Sequence, residues 1–143
     1  MSSSADCAFC AIVAGTVPAH IVDETEHTVA FLDTRPLFDG HTLLVPREHY
    51  MTLPDLPHEL LEPVFSATQR LAAAMPVAFG AAGSFVANNN VVSQSVAHFH
   101  VHVVPRNPKD GLRGFFWPRS RYRDDAHAAE VAGKLRAALT RQS

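Results

Sequence analysis

The stretch Ser93-Gln94-Ser95-Val96-Ala97-His98-Phe99-His100-Val101-His102-Val103-Val104-Pro105-Arg106 sets three histidines at alternate positions. Imidazole, with an ordinary pKa near ~6.5, can serve as acid, base, nucleophile or metal ligand. Read as a strand over Ala97 to Val104, the stretch turns His98, His100 and His102 to one face and Ala97, Phe99, Val101 and Val103 to the other. The apolar row then packs inward and the imidazole row faces a site. A rise of ~3.3 Å per residue puts neighbouring members of the row roughly 6 to 7 Å apart along the strand and the outer two about 13 Å apart. One catalytic zinc on all three would be strained, so the three rings need not share one job. Cys7-x-x-Cys10 is a second candidate, either a pair of plain thiols or half of a four-coordinate zinc site that needs two more ligands. A third is Gly111-Leu112-Arg113-Gly114-Phe115-Phe116-Trp117-Pro118-Arg119, either a tail packing its aromatics on the domain or a segment reaching over a ligand site. His20, His27, His58 and His127 stand singly and are expected in solvent.

The elements that must position these residues are readable from periodicity and breakers. Cys7 to Ala14 suits a short helix closed by Gly15, with Pro18 beyond. His20 to Asp23 and Thr28 to Leu32 read as strands joined by the acidic turn Asp23-Glu24-Thr25-Glu26. A third strand, His41 to Val45, enters through Phe38-Asp39-Gly40 and stops at Pro46. Leu60, Leu61, Val64, Phe65, Leu71 and Met75 recur at helical spacing between Pro57 and Ala78. Pro63 sets the expected start of that continuous helix near Glu62, and Gly80 and Gly83 end it. Ser84 to Ala87 and Ala97 to Val104 are strands linked by the polar run Asn88 to Gln94, and Asp124 to Leu139 is a helix with an Asp cap. The order predicts an α+β fold, a five-stranded antiparallel sheet with one long and one or two shorter helices. It is expected as a single domain over 1–143, with a flexible N-terminus at 1–6 and a C-terminal tail and helix at 107–143.

At 143 residues the chain has room for one sizeable core and not for a second catalytic domain. A formal net charge of -2 and a pI near 6.5 argue against a general nucleic-acid binder, which needs a basic face. Residues Met1 to Asp6 form no basic-then-apolar leader, and no run of about 18 apolar residues occurs, so no membrane partner is expected and the cytoplasm is the expected compartment. Two cysteines without such a leader argue against a disulfide framework.

The histidine row resembles the His-x-His-x-His motif of the histidine triad (HIT) nucleotide-binding family. Further similarity lies in Cys7-Ala8-Phe9-Cys10-Ala11-Ile12-Val13-Ala14-Gly15, Pro18-Ala19, Ala30-Phe31-Leu32-Asp33, Gly40-His41-Thr42-Leu43-Leu44-Val45-Pro46-Arg47-Glu48-His49 and Asn88-Asn89. The resemblance implies the HIT-like fold and a covalent mechanism in which His100 attacks the α-phosphorus of a nucleotide and water then hydrolyses the nucleotidyl-histidine. It implies that His102, Ser95, Gln94 and His41 surround the phosphate, that Asp33 holds ribose hydroxyls and that Asn88 contacts the nucleotide near its phosphate. Expected substrates are purine nucleotide conjugates of the adenosine phosphoramidate or diadenosine polyphosphate type. A phosphorylase or transferase, a non-catalytic nucleotide-binding or scaffold protein, and a zinc-dependent hydrolase are the alternatives. Relatives with the Cys pair imply a structural Zn2+ on Cys7, Cys10, His49 and His98, with no cofactor required for catalysis. A homodimer is also implied, and the Gly111 to Arg119 run is then expected to reach over an active site, often the partner subunit's. One departure is Ser93, which stands where relatives commonly carry Gly. If that position has φ > 0, Ser is strained there and the phosphate loop changes shape.

Overall fold

The computed structural model describes residues 4–113 and 119–142. Gly114-Phe115-Phe116-Trp117-Pro118 of the aromatic run lie outside the described residues, as do Met1 to Ser3 of the expected flexible N-terminus. Element order is α1 (Ala8–Val13), β1 (Ile21–Glu24), β2 (Thr28–Leu32), β3 (Thr42–Pro46), α2 (His58–Phe79), β4 (Gly83–Ala87), β5 (Val101–Arg106) and α3 (Asp125–Thr140), with 3-10 turns at Ser4–Asp6 and Leu53–Asp55. Among the described residues one antiparallel sheet forms in the order β1-β2-β3-β5-β4, so the fold is the α+β arrangement that the sequence predicts. Two compact units are present. The first runs through Asp110 and holds the sheet, α1 and α2; the second begins at Gly111 and holds α3.

Both sheet faces in the first unit are covered, which is why β2 and β3 read as continuous apolar runs rather than alternating ones. Ala30, Leu44, Val101 and Val103 pack with Leu60, Val64, Ala67, Leu71 and Met75 of α2. The opposite face of the same strands, Val29, Phe31, Leu43 and Val45, packs with Cys7 and Phe9. In the second unit α3 starts at Asp124, whose side chain accepts the His127 N–H at 2.8 Å.

Most boundaries shift by one or two residues from the sequence expectation, Pro46 for instance ending inside β3 rather than stopping it, and two shift by four. The long helix begins at His58, not near Glu62, so Pro63 lies inside it and cannot donate to the carbonyl one turn back. Burial outweighs that lost bond: Leu60 and Val64, on either side of Pro63, are 8% and 0% exposed. The last strand begins at Val101, not Ala97. Among the described residues ladder partners exist only from Val101 onward, because β3 and β4 reach β5 no earlier than Leu44↔Val101 and Ala87↔His102. Residues 97–100 are held instead by a loop and by side chains. The Phe99 N–H donates to the Tyr50 carbonyl at 2.6 Å, and the Asn88 amide donates to the His100 carbonyl at 3.0 Å.

Candidate functional site

The turn between β2 and β3 delivers the first two polar groups. Asp33 and His41 face each other across its neck, the Asp33 N–H donating to the His41 carbonyl at 2.9 Å. Gly40 makes this neck possible. Its φ is +101°, and a Cβ there would collide with the Phe79 ring. The same turn aims the Leu37 N–H at His41 Nδ1 at 3.0 Å. A backbone N–H can only donate, so His41 Nδ1 accepts and the ring's proton sits on Nε2.

From there the proton positions follow in sequence. His41 Nε2 lies 2.9 Å from His102 Nδ1 and 3.5 Å from Asp33 Oδ2. His102 Nδ1 therefore accepts, and its own N–H is Nε2–H. His100 Nδ1 lies 2.7 Å from the His98 carbonyl, which can only accept, so Nδ1 carries the proton and Nε2 keeps a lone pair. Burial keeps these rings neutral. It lowers the pKa of His41 and of His100 below the ordinary imidazole value, each partly offset by Asp33, and His100 also by its backbone bond. His102 is lowered to about 4 by burial and by its neighbours His100 and His41. The result is an imidazole with an unprotonated nitrogen beside one that donates.

His98, wholly buried, does something else. Its Nε2–H donates to the Pro46 carbonyl at 3.0 Å, which leaves Nδ1 as a lone pair. Nδ1 lies 3.3 Å from Cys7 Sγ, 3.4 Å from Cys10 Sγ and 3.2 Å from His49 Nδ1, and Cys10 Sγ lies 3.3 Å from His49 Nδ1. One lone pair cannot satisfy three such neighbours. A tetrahedral zinc with Zn–S near ~2.3 Å and Zn–N near ~2.0 to 2.1 Å would hold its ligand atoms roughly 3.3 to 3.8 Å apart, close to this spacing. The four residues therefore fit the metal that the resemblance implies. Burial, followed by the Cys7 thiol, pushes the Cys10 thiol up to about 11, and zinc coordination reverses this because its ligand is the thiolate. Asp33, His41 and His102 also converge within ligand range of one another. They fit a metal less well, since a cation on His41 Nε2 would drive the proton to Nδ1, against the Leu37 N–H.

A cleft of about 950 Å³ opens onto these histidines. Phe9, Ile12, Phe31 and Leu43 give it an apolar wall, while Asp33, Ser95, His100 and His102 gather polar groups in it. Gln94 and Asn88 are not in that lining. Gln94 stitches its loop, accepting from the Val91 N–H at 2.9 Å and donating to the Met51 carbonyl at 2.6 Å, and Asn88 holds the His100 carbonyl. Ser93 has φ +63°, the left-handed conformation that favours the Gly of relatives. Sequence reasoning gave no site role to the apolar wall or to three polar cleft residues, His20, Thr34 and Arg35. No motif marks these three, and only the turn that brings Asp33 to His41 brings Thr34 and Arg35 along.

Comparison with known proteins points in one direction. Residues 14–109 match the model of the HIT domain. Adenosine 5'-monophosphoramidase HNT1 of Saccharomyces cerevisiae is 36% identical over 109 residues, 76% of this chain and 68% of that protein. The crystal structure of a HIT family member from Bacillus subtilis superimposes with a TM-score of 0.84 at 32% identity, covering 92% of this chain and 96% of the other. A zinc-bound histidine triad family protein from Mycobacterium smegmatis superimposes with a TM-score of 0.73 at 35% identity, covering 92% and 99%.

Proposed function

The chain belongs to the HIT domain family, and from that premise we propose that it is a nucleotidyl hydrolase acting at the α-phosphate of purine nucleotide conjugates through a covalent His100 intermediate. The observation that carries this reading is the His100 Nδ1 bond to the His98 carbonyl, which leaves Nε2 unprotonated on a ring lining the cleft. The base lies against Phe9, Ile12 and Phe31, and Asp33 takes the ribose hydroxyls. His100 Nε2 forms a bond to the α-phosphorus as the bond to the leaving group breaks. His102 Nε2–H, held in its tautomer by His41, and the Ser95 hydroxyl donate to the phosphoryl oxygens or to the leaving group. Water then displaces His100. Gln94 and Asn88 serve as positioning residues, for the loop and for the segment that carries His100.

Cys7, Cys10, His49 and His98 would hold zinc with four protein ligands, and a zinc so held would stabilise the fold and leave the chemistry to the imidazoles. Adenosine phosphoramidates and diadenosine polyphosphates are the substrate classes proposed, and HNT1 carries the first activity in its name. The protein works as a homodimer, in the cytoplasm. Support for the first is the edge strand β4, whose Val86 is 44% exposed; no helix among the described residues is long and apolar enough to cross a membrane.

Rapid quenching with a nucleotide labelled at the α-phosphate tests the mechanism. An acid-labile, base-stable adduct on His100 is expected, and His100→Ala should lose nearly all turnover while still binding AMP. Inversion at a chiral phosphorus would overturn the reading, because two displacements give net retention.

A further inference from the structure

Each residue of the Cys/His centre is tied, within two positions in sequence, to a group that fixes His100. His98 contributes one ligand atom, Nδ1, and its carbonyl takes the His100 Nδ1–H at 2.7 Å. His49 immediately precedes Tyr50, whose carbonyl takes the N–H of Phe99, the residue between His98 and His100. Cys7 and Cys10 flank Phe9. The Phe9 ring meets His100 edge-on, with centroids 5.0 Å apart at 89°, and meets His98 at 6.0 Å. Phe9 also lines the cleft, along with Ala8 and Ile12 of the same helix.

We infer that metal occupancy of the Cys7/Cys10/His49/His98 centre and nucleotide affinity in the cleft are coupled, with Phe9 and His98 as the positioning residues that carry the coupling. Bringing four ligand atoms onto one cation fixes the start of α1 and the 98–100 segment together. Those are the two pieces that hold the His100 ring and the apolar wall for the base. Without the cation, His98 Nδ1 faces three neighbours with one lone pair. Unfilled, the centre relaxes, and both pieces lose their common anchor. Coupling of this kind is reciprocal, so nucleotide must tighten metal binding by the factor by which metal tightens nucleotide binding.

This inference rests on the nucleotide reading of the cleft, and the test separates the two. Zinc-loaded protein is equilibrated with a chromophoric competing chelator, with and without saturating AMP, against protein-free blanks that correct for zinc held by AMP. Calorimetric titration of AMP into zinc-loaded and metal-depleted protein gives the reciprocal factor. A change of roughly fivefold or more is expected in both, the lower end of ordinary allosteric coupling. Should circular dichroism show that the metal-depleted protein unfolds, AMP tightens zinc merely by binding folded protein, and the coupling through Phe9 and His98 is overturned in favour of a purely structural metal. Phe9→Leu should keep zinc bound and shrink the factor. Equal zinc affinity with and without AMP, while both ligands bind, overturns the coupling alone. Failure of AMP to bind the loaded protein overturns the nucleotide reading and the coupling with it, and failure of zinc to bind overturns the coupling through its metal half.

Discussion

Proton placement at single residues sets the chemistry, and pH reads it out. His100 must be neutral to attack, and its pKa lies below the ordinary imidazole value, so the acid limb of kcat/KM should have its midpoint below 6.5. A profile that drops with a midpoint at or above 6.5 would contradict this. The same residues link stability to pH. His102 is lowered to about 4 in the folded chain, so between about 4 and 6.5 the unfolded chain binds the extra proton. Its contribution is therefore fully present above pH 6.5 and is lost as pH falls toward 4. Urea midpoints across that window should fall with acidity, and His102→Asn should flatten the dependence. His41→Ala removes the group that assigns the His102 tautomer. A fall in kcat of roughly 10²-fold is expected, with a smaller change in KM, near what one oxyanion-type donor supplies. Steady-state kinetics with an adenosine phosphoramidate measures both.

Among the elements, the β2–β3 turn and α2 lend themselves to opposite tests. Gly40→Ala forces a side chain into a φ of +101° and onto Phe79, so it should destabilise by roughly 1 to 3 kcal/mol and lower kcat by moving His41. In α2, Pro76 is exposed and has no N–H to give to the carbonyl one turn back. Pro76→Ala restores that bond, touches no cleft residue, and should stabilise by about 1 kcal/mol in urea unfolding with unchanged kinetics. A loss of stability would mean that the proline earns its place by rigidifying the unfolded chain.

Assembly belongs to the whole molecule. β1 and β4 are the edges of the sheet, and β4 exposes Val86 next to the segment bearing Val91 and Val92, 74% and 78% exposed. Such an edge invites pairing with a second copy. Light scattering should give a dimer mass at micromolar concentration, and Val86→Lys should shift it toward the monomer. A monomer across the whole concentration range would remove the homodimer from the functional reading.

The residue sequence by itself determined the five strands and the long amphipathic helix, because side-chain period and breakers are local properties that a chain displays before it folds; Cys7-x-x-Cys10 was legible by its spacing, and His49 and His98 came to it only through the family resemblance. Ser93 stood out in the sequence as a departure from the family's glycine, but only the structure shows that its φ is positive. Other features needed the tertiary structure. Where β5 begins depends on how far its neighbours extend, and where α2 begins depends on the burial of Leu60 and Val64 around Pro63. The different tasks of three similar histidines depend on which fixed donor or acceptor each ring meets: the Pro46 carbonyl for His98, the His98 carbonyl for His100 and the His41 ring for His102. Residue type gives imidazole its two nitrogens, but only partners brought from elsewhere in the chain decide which nitrogen holds the proton.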